Sequence, residues 1–433
     1  MSRVGIEAMN VFGGSAVLDV MQLARHRQLD LARLNNLLMK EKTVALPFED
    51  PVTFGANAAR PLLDRMSEEE KSRIELLITC TESGFDFSKS ASTYLHDQLG
   101  LSRNCRMFEL KQACYAGTAG FQMACNFILS GTSPGAKALV IATDISRYIL
   151  EDGDDVAAQD WAYAEPSGGA GAVALLVSDA PHVFQLDVGA SGTYGYEVMD
   201  TCRPAPDSEA GDVDLSLMSY LDCCEQAYRA YEAKVEGADY RDTFQYLAFH
   251  TPFGGMVKGA HRTMMRKFAK AKGAEVAEDF ERRVAPGLGY CGRVGNIMGA
   301  TVFLSLAGTI CDGAYPDPRR IGLFSYGSGC CSEFYSGVVT PDGARRLRAM
   351  GIEAHLDARH QLSLDEYDQL LRDSAFVRVG TRDTVVNQDF VARTARTART
   401  ARTARTARSA AGASPRLVLR AIKEFHREYA WID

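Results

Sequence analysis

The 433-residue chain contains no apolar stretch reaching the ~18 residues that a membrane-spanning helix needs, so an integral membrane protein is not expected. Its start, MSRVGIEAMNVFGGSAV, lacks a basic segment leading into an apolar one, which predicts no secretory signal and a cytoplasmic protein. The eleven cysteines are odd in number and include no CxxC pair; this fits neither a disulfide framework nor a zinc site, and no metal is expected. Positive charge is also short. The net charge is −7, and six of the arginines belong to one repeat, without which it would be −13. A body that acidic is poorly suited to phosphate backbones, so no nucleic-acid partner is expected. No glycine-rich stretch has P-loop spacing, and the GGAG at 168–171 precedes an apolar run where a dinucleotide site would have to follow one.

What is present is the composition of an ordinary globular protein, 46% hydrophobic and 24% charged. The length is about three times the ~150 residues of a typical domain, which implies one large fold or two joined halves. Short runs rich in Leu, Ile and Val occupy 74–83, 138–146, 170–179, 244–252 and 321–329 and read as strands buried on both faces. Helical segments lie between them, at 56–66, 116–130, 217–235 and 257–273, so the fold class is α/β. In AGTAGFQMACNFILSG (116–131), Phe121, Met123, Ala124, Phe127 and Ile128 span nearly the whole helix circumference, which predicts a helix buried on all sides. Residues 392–409 repeat Ala-Arg-Thr and offer no apolar face. They read as an exposed, mobile insertion, or as a basic strip for an acidic partner, inside a fold that resumes at 415–433.

Three residues stand out where strands end. Cys114, in FELKQACYAGTAGF, precedes the apolar helix, and a helix N-terminus favours thiolate, although a buried structural cysteine is an equal reading at this point. Glu82 follows IELLITCT directly, where it either caps the next element or serves as a desolvated base on a weakly acidic C–H. His250 ends QYLAF and runs into TPFGG, whereas His261 lies in the helical segment beyond it and is expected on a solvated face. The turns EPSGGAGAVALL and FSYGSGCCSEF could supply backbone N–H groups to an oxyanion or line a pantetheine tunnel. Asn296 begins another apolar helix, where a cap is its default role.

In order, TES with Glu82, QACYAGTAGF with Cys114, PSGGAGAVAL, FHTPFGG with His250, VGN with Asn296 and FSYGSG resemble the 3-hydroxy-3-methylglutaryl-CoA synthase family from about residue 3 to 380. The resemblance implies a thiolase-like fold, with two similar halves at 1–178 and 179–433, buried mixed sheets and central buried helices. It implies that Cys114 accepts an acetyl group, that Glu82 deprotonates the acetyl methyl and that His250, helped by Asn296, polarises the acceptor ketone. Ser325, Tyr326, Gly327 and Ser328 would stabilise oxyanions or bind substrate, Ser167 and Ser216 would touch substrate, and Asp200 would order the site. No resident cofactor is implied, since phosphopantetheine enters as the arm of a carrier protein or of CoA. Thiolase-like proteins are generally dimers, so a homodimer is expected.

GIEAMNVFGGSAVLDV, LMKEKTVALPFEDPVTFG and the chain from QDWAYAEPSGGAG are most similar to the members that act in polyketide β-branching in antibiotic biosynthesis. These take acetyl from a donor acyl carrier protein and add it to a β-ketoacyl chain on an acceptor carrier protein. Gly259 stands where mevalonate-pathway members carry lysine, with Lys258 one place earlier, which agrees with a carrier-protein donor. Arg25, Arg27, Arg33 and Lys40, or Arg262, Arg266, Lys267 and Lys270, are candidate docking groups. The alternatives are a mevalonate-type synthase using acetyl-CoA, a decarboxylating ketoacyl synthase, which would leave Glu82 unexplained, and a non-catalytic scaffold, which would have no need of all three residues.

Overall fold

The computed structural model describes residues 3–146, 161–205, 208–372, 377–395, 397 and 415–432. Nine strands form the main sheet: β1 (Gly5–Phe12), β2 (Ile74–Cys80), β3 (Arg106–Leu110), β4 (Lys137–Ile145), β5 (Ala170–Ser178), β6 (Phe184–Gly195), β7 (Tyr246–Phe249), β8 (Arg319–Gly327) and β9 (Cys331–Val339), in the order β7-β8-β9-β6-β1-β5-β4-β2-β3. The order contains one pattern twice. From β1 outward the pairings run antiparallel to β5, antiparallel to β4 and parallel to β2. From β6 outward they run antiparallel to β9, antiparallel to β8 and parallel to β7. Among the described residues the two half-sheets join where Gly5 and Ile6 of β1 pair with Gln185 and Phe184 of β6.

Five longer helices supply the layers: α1 (Pro51–Leu63), α2 (Ala116–Leu129), α3 (Val213–Glu232), α4 (Gly254–Phe268) and α5 (Thr301–Asp312). Because side chains alternate across a strand, each half-sheet presents two apolar faces. In the first half, Leu77, Ile141 and Leu176 pack with Val52 and Phe54 of α1, while Ile78, Val140 and Leu175 face Phe121 of α2. In the second half, Phe324 and Phe334 join the tyrosines of α3, while Ile321, Leu323 and Tyr335 face α2 and α5. The layers therefore run α1, half-sheet, the α2–α5 pair, half-sheet, α3 with α4. Phe121 sits at the centre, its ring 5.8 Å from Phe303 and 6.2 Å from Tyr335. There the main chains of the halves touch: a Cβ on Gly117 would lie 2.1 Å from the carbonyl oxygen of Gly299.

The apolar runs at 74–83, 138–146, 170–179, 244–252 and 321–329 are β2, β4, β5, β7 and β8, and β5 is buried at every position, as its uninterrupted apolar sequence demands. The helix expected from residue 56 starts at Pro51, because Asp50 accepts from the Thr53 N–H and Thr53 caps back, with proline in the first turn. The all-round burial expected of α2 is not found: Met123 is 44% exposed, and Phe127 and Ile128 are only partly buried. One side of α2 packs on the half-sheet and α5, while no described element covers its outer side. Most of the 392–409 repeat lies outside the described residues; at its start Ala392 and Arg393 are exposed as expected, whereas Thr394 is not. Thr394, in helical chain, is 2% exposed and accepts from Arg416 Nη2 at 3.2 Å, and Arg393 pairs with Glu366 at 2.6 Å.

Candidate active site

Cys114 occupies the turn between β3 and α2. Ala113 adopts φ 43°, a left-handed conformation uncommon for a residue with a Cβ, and the turn is closed by Tyr115 N–H donating to the Gln112 carbonyl at 3.0 Å. No side chain caps α2, so its free N–H groups and positive dipole end remain at the cysteine. Gly327 of β8 backs the turn so closely that a Cβ there would lie 2.5 Å from Tyr115 N and 2.7 Å from the Gln112 oxygen. Tyr115 Oη and Gln122 Nε2 both donate to the buried Glu333, at 2.7 and 2.8 Å, anchoring the start of α2 to β9.

The second half repeats this arrangement. Met298, just before α5, has φ 47°, and Asn296 Oδ1 accepts from Met298 N–H and Thr301 Oγ1, each at 3.0 Å. Glu82 and His250 also hold corresponding places, just beyond the C-terminal ends of β2 and β7. Glu82 is fixed through its main chain, whose N–H donates to Asp144 Oδ1 at 2.9 Å; its Oε1 lies 3.6 Å from Arg203 Nη2. Burial pushes the Asp144 carboxyl up to about 6 against the opposing charge of Arg203. His250 is 1% exposed, and its main chain is held by Tyr220 Oη at 2.6 Å and by the Phe324 carbonyl at 2.7 Å. Burial pushes its imidazole down to about 3, so it is neutral near pH 7.

One cavity of about 630 Å³ brings Glu82, Cys114 and His250 together with Asn296, Ser216, Tyr326 and Ser328. Ser167, Ser325, Gly327 and Asp200 are not among its lining residues. Ser167 contributes its carbonyl to Asn296 N–H at 2.8 Å, and Ser325 is fully buried in β8. Gly327 is the backing of the Cys114 turn. Asp200, also fully buried, accepts from Tyr326 Oη at 2.5 Å and Gly329 N–H at 2.9 Å, fixing the segment that carries Ser328. The glycine turn at 168–169 is not free for an oxyanion: Gly168 N–H bonds to the Ala164 carbonyl and Gly169 N–H to the Asn296 carbonyl.

The cavity also contains residues that sequence reasoning missed: Thr81, Phe87, Lys111, Arg203, Met256 and Met298. Only Thr81 carried a signal, as the residue between a buried strand and Glu82. Two expectations are corrected. His261 is fully buried, with Nε2 3.0 Å from Asp279, because the segment it occupies packs against the helix at Gly273–Arg283. Arg27 is no free docking group: it is held by Glu165 and Asp368 at 3.1 and 2.7 Å. The Arg33 side chain is outside the described part of the structure. Lys258 is not among the cavity's lining residues, and its Nζ lies 5.5 Å from the Phe280 ring centre. Among the described residues no group of His, Cys, Asp and Glu could hold a metal ion, and no helix is long and apolar enough to cross a membrane.

Hydroxymethylglutaryl-coenzyme A synthase N-terminal sequence matches residues 2–181, and the C-terminal sequence of the same family matches 184–272 and 260–380. The chain belongs to the hydroxymethylglutaryl-CoA synthase family. Within that family it is 64% identical, over the full length of both chains, to the polyketide biosynthesis 3-hydroxy-3-methylglutaryl-ACP synthase PksG of Bacillus subtilis. The crystal structure of the curacin biosynthetic pathway HMG synthase in complex with holo donor-ACP superposes with a TM-score of 0.92 at 62% identity, covering 99% of this chain and 100% of that one. MvaS in complex with 3-hydroxy-3-methylglutaryl coenzyme A, matched over 100% of both chains, gives 0.82 at 32%. These neighbours establish the thiolase-like α/β fold of the synthase.

Proposed function

We propose that this synthase performs the condensing step of polyketide β-branching. The Cys114 thiolate attacks the acetyl thioester of a donor acyl carrier protein and releases the carrier thiol. Glu82 takes a proton from the acetyl methyl, leaving an enolate whose carbon bonds to the β-ketone of a chain on an acceptor carrier protein. The ketone oxygen takes up a proton, with neutral His250 and Asn296 as the groups that bind and polarise it. Water cleaves the Cys114 thioester, giving a 3-hydroxy-3-carboxymethyl acyl chain on the acceptor carrier. The convergence of Glu82, Cys114 and His250 on one cavity carries this reading, because a nucleophile alone would suit many acyl transfers while a carboxylate opposite it suits enolate formation.

The carrier-protein donor is favoured over acetyl-CoA by the higher similarity to the ACP-linked relatives and by the absence of Lys258 from the cavity lining. Tyr326, Ser328 and Ser216 line the cavity as substrate contacts, while Asp200 and Ser167 act from behind through the main chain they bond, Gly327 through its close packing on the Cys114 turn, and Ser325 from within β8. The reading uses no resident cofactor, because the phosphopantetheine arm arrives with its carrier. The repeated strand order supports halves at 1–178 and 179–433. A homodimer is supported by β3, which forms one edge of the main sheet, and by the exposed Met123 of α2. Eleven free cysteines agree with a cytoplasmic setting.

Intact-protein mass spectrometry tests the reading: the purified chain is mixed with acetyl-carrier protein in one tube and acetyl-CoA in another, with Cys114→Ala as control. Acetylation from the carrier alone is expected. Loading from acetyl-CoA alone would favour a mevalonate-type synthase, and no loading from either would refute the synthase reading.

A further inference from the structure

We propose that Arg203 is a positioning residue for proton removal: its guanidinium keeps Glu82 ionised and aimed into the cavity, and its loss slows enolate formation while sparing acetyl loading. The inference rests on the reading of Glu82 as the base. Arg203 belongs to the hairpin strand Thr201–Ala205 of the second half and reaches across to the first. Its Nη2 lies 3.6 Å from Glu82 Oε1, and its Nη1 donates to Ser83 Oγ at 3.0 Å. Ser83 Oγ donates in turn to Asp144 Oδ1 at 2.8 Å, the atom that also accepts from Thr81 Oγ1 and from the N–H groups of Glu82 and Ser83. One guanidinium thus spans the carboxylate of Glu82 and the group that fixes its main chain.

The charged groups around Glu82 explain why a cation is needed there. Asp144 from β4, Asp86 from the same loop and Glu109 from β3 disfavour a further negative charge, whereas Lys111 and Arg203 favour one; the other titratable lining groups are Cys114, Cys202, Tyr326 and neutral His250. Arg203 and Glu82 expose only 12% and 17% of their side chains, so solvent screens the pair weakly. An arginine is a suitable holder because it does not itself exchange protons with the substrate. In the step it supports, the methyl C–H electron pair becomes the enolate and the proton goes to Glu82. The charge of Arg203 is unchanged.

The test compares wild type, Arg203→Met, Arg203→Lys and Glu82→Ala in the full chain, with acetyl-carrier protein and a β-ketoacyl-carrier acceptor. Cys114 acetylation is followed by quenched mass spectrometry, and condensation is followed against pH with acetyl and trideuteroacetyl donors. Arg203→Met is expected to acetylate within about threefold of wild type but to condense ~10- to 100-fold more slowly. Its low-pH limb should move up by about one unit or more, with a larger isotope effect. Arg203→Lys should return the limb to its wild-type position. An unmoved limb in Arg203→Met, no recovery in Arg203→Lys, or acetylation and condensation falling together would each overturn the proposal. Normal condensation by Glu82→Ala would instead refute the base assignment beneath it.

Discussion

Replacing Gly327 by alanine tests whether the Cys114 turn is held from behind. The added methyl would stand 2.5 Å from Tyr115 N, 2.7 Å from the Gln112 oxygen and 2.8 Å from Tyr115 Cβ, all below the distances that real Cβ atoms accept. The first two atoms are the donor and acceptor of the bond that closes the turn. Neither can yield cheaply: Gly327 is paired with Cys331 in the buried end of β8, and α2 is pinned to β9 through Glu333. Overpacking of this kind costs about 1–3 kcal/mol. A central value of ~2 kcal/mol, expressed wholly in the acetylation barrier, slows loading about 30-fold. Whatever part of that strain stays in the ground state instead lowers the melting temperature, by at most a few degrees. Quenched mass spectrometry of Cys114 acetylation and a thermal scan measure both effects. The control is Gly259→Ala, a helical position with open space around the new methyl, where no loss of stability is expected. Wild-type loading by Gly327→Ala at an unchanged melting temperature would refute the argument.

Three other outcomes are expected. Because burial holds the folded-state value of His250 at about 3, against ~6.5 in an unfolded chain, only the unfolded state binds that proton as pH falls below about 6.5; this contribution to stability is therefore lost on acidification, ~2 kcal/mol by pH 5, and His250→Gln should lose stability less steeply between pH 7.5 and 5 in denaturant titrations. Arg427→Met leaves Asp50, 2% exposed by side chain, without a partner now 2.9 Å away and removes a cation 4.0 Å from the Phe85 ring on the Glu82 loop; a loss of about 3–5 kcal/mol is expected, partly recovered by adding Asp50→Asn, and wild-type stability of Arg427→Met would contradict it. Deleting residues 398–403, two repeat units, should leave the melting temperature and Cys114 loading unchanged, since the Ala-Arg-Thr sequence offers no apolar face to bury; a loss of loading would make the repeat functional.

The strands that show in the sequence are those buried on both faces, where β-branched and leucine residues run without interruption, as in β5. The missed strands differ in pattern. β3 is a partly exposed edge strand and β6 ends in the mixed sequence ASGTYG, while β1 (GIEAMNVF) and β9 (CSEFYSGVV) are largely buried but break their apolar residues with Glu, Asn, Ser and Gly, so none of the four carries the long apolar signature. Glu82 and His250 were legible because each ends an apolar run and Cys114 because it precedes an apolar helix, and a topology that repeats puts such places together. Arg203 was not. It lies in TCRPAP, without periodicity, and its meaning depends on a hairpin crossing from the other half. His261 was misjudged for a related reason, as its charged helix neighbours suggested solvent, whereas Asp279 and Arg283 arrive from a different helix to bury it. The expected circumference of α2 failed because an apolar sequence states what can be buried and not what is available to cover it.

The back-to-back glycines at the centre set a condition on how this protein can change. A methyl on Gly117 would strike the carbonyl of Gly299, and one on Gly299 would stand 3.0 Å from Gly117 N. Each half thus limits which residues the other tolerates at the start of its central helix. A chimaera that joins the first half of this chain to the second half of a distant relative would succeed or fail at that point before any catalytic residue mattered. Drift on one side of the seam has to be matched on the other, so the two halves form a single unit of inheritance even though their strand orders repeat.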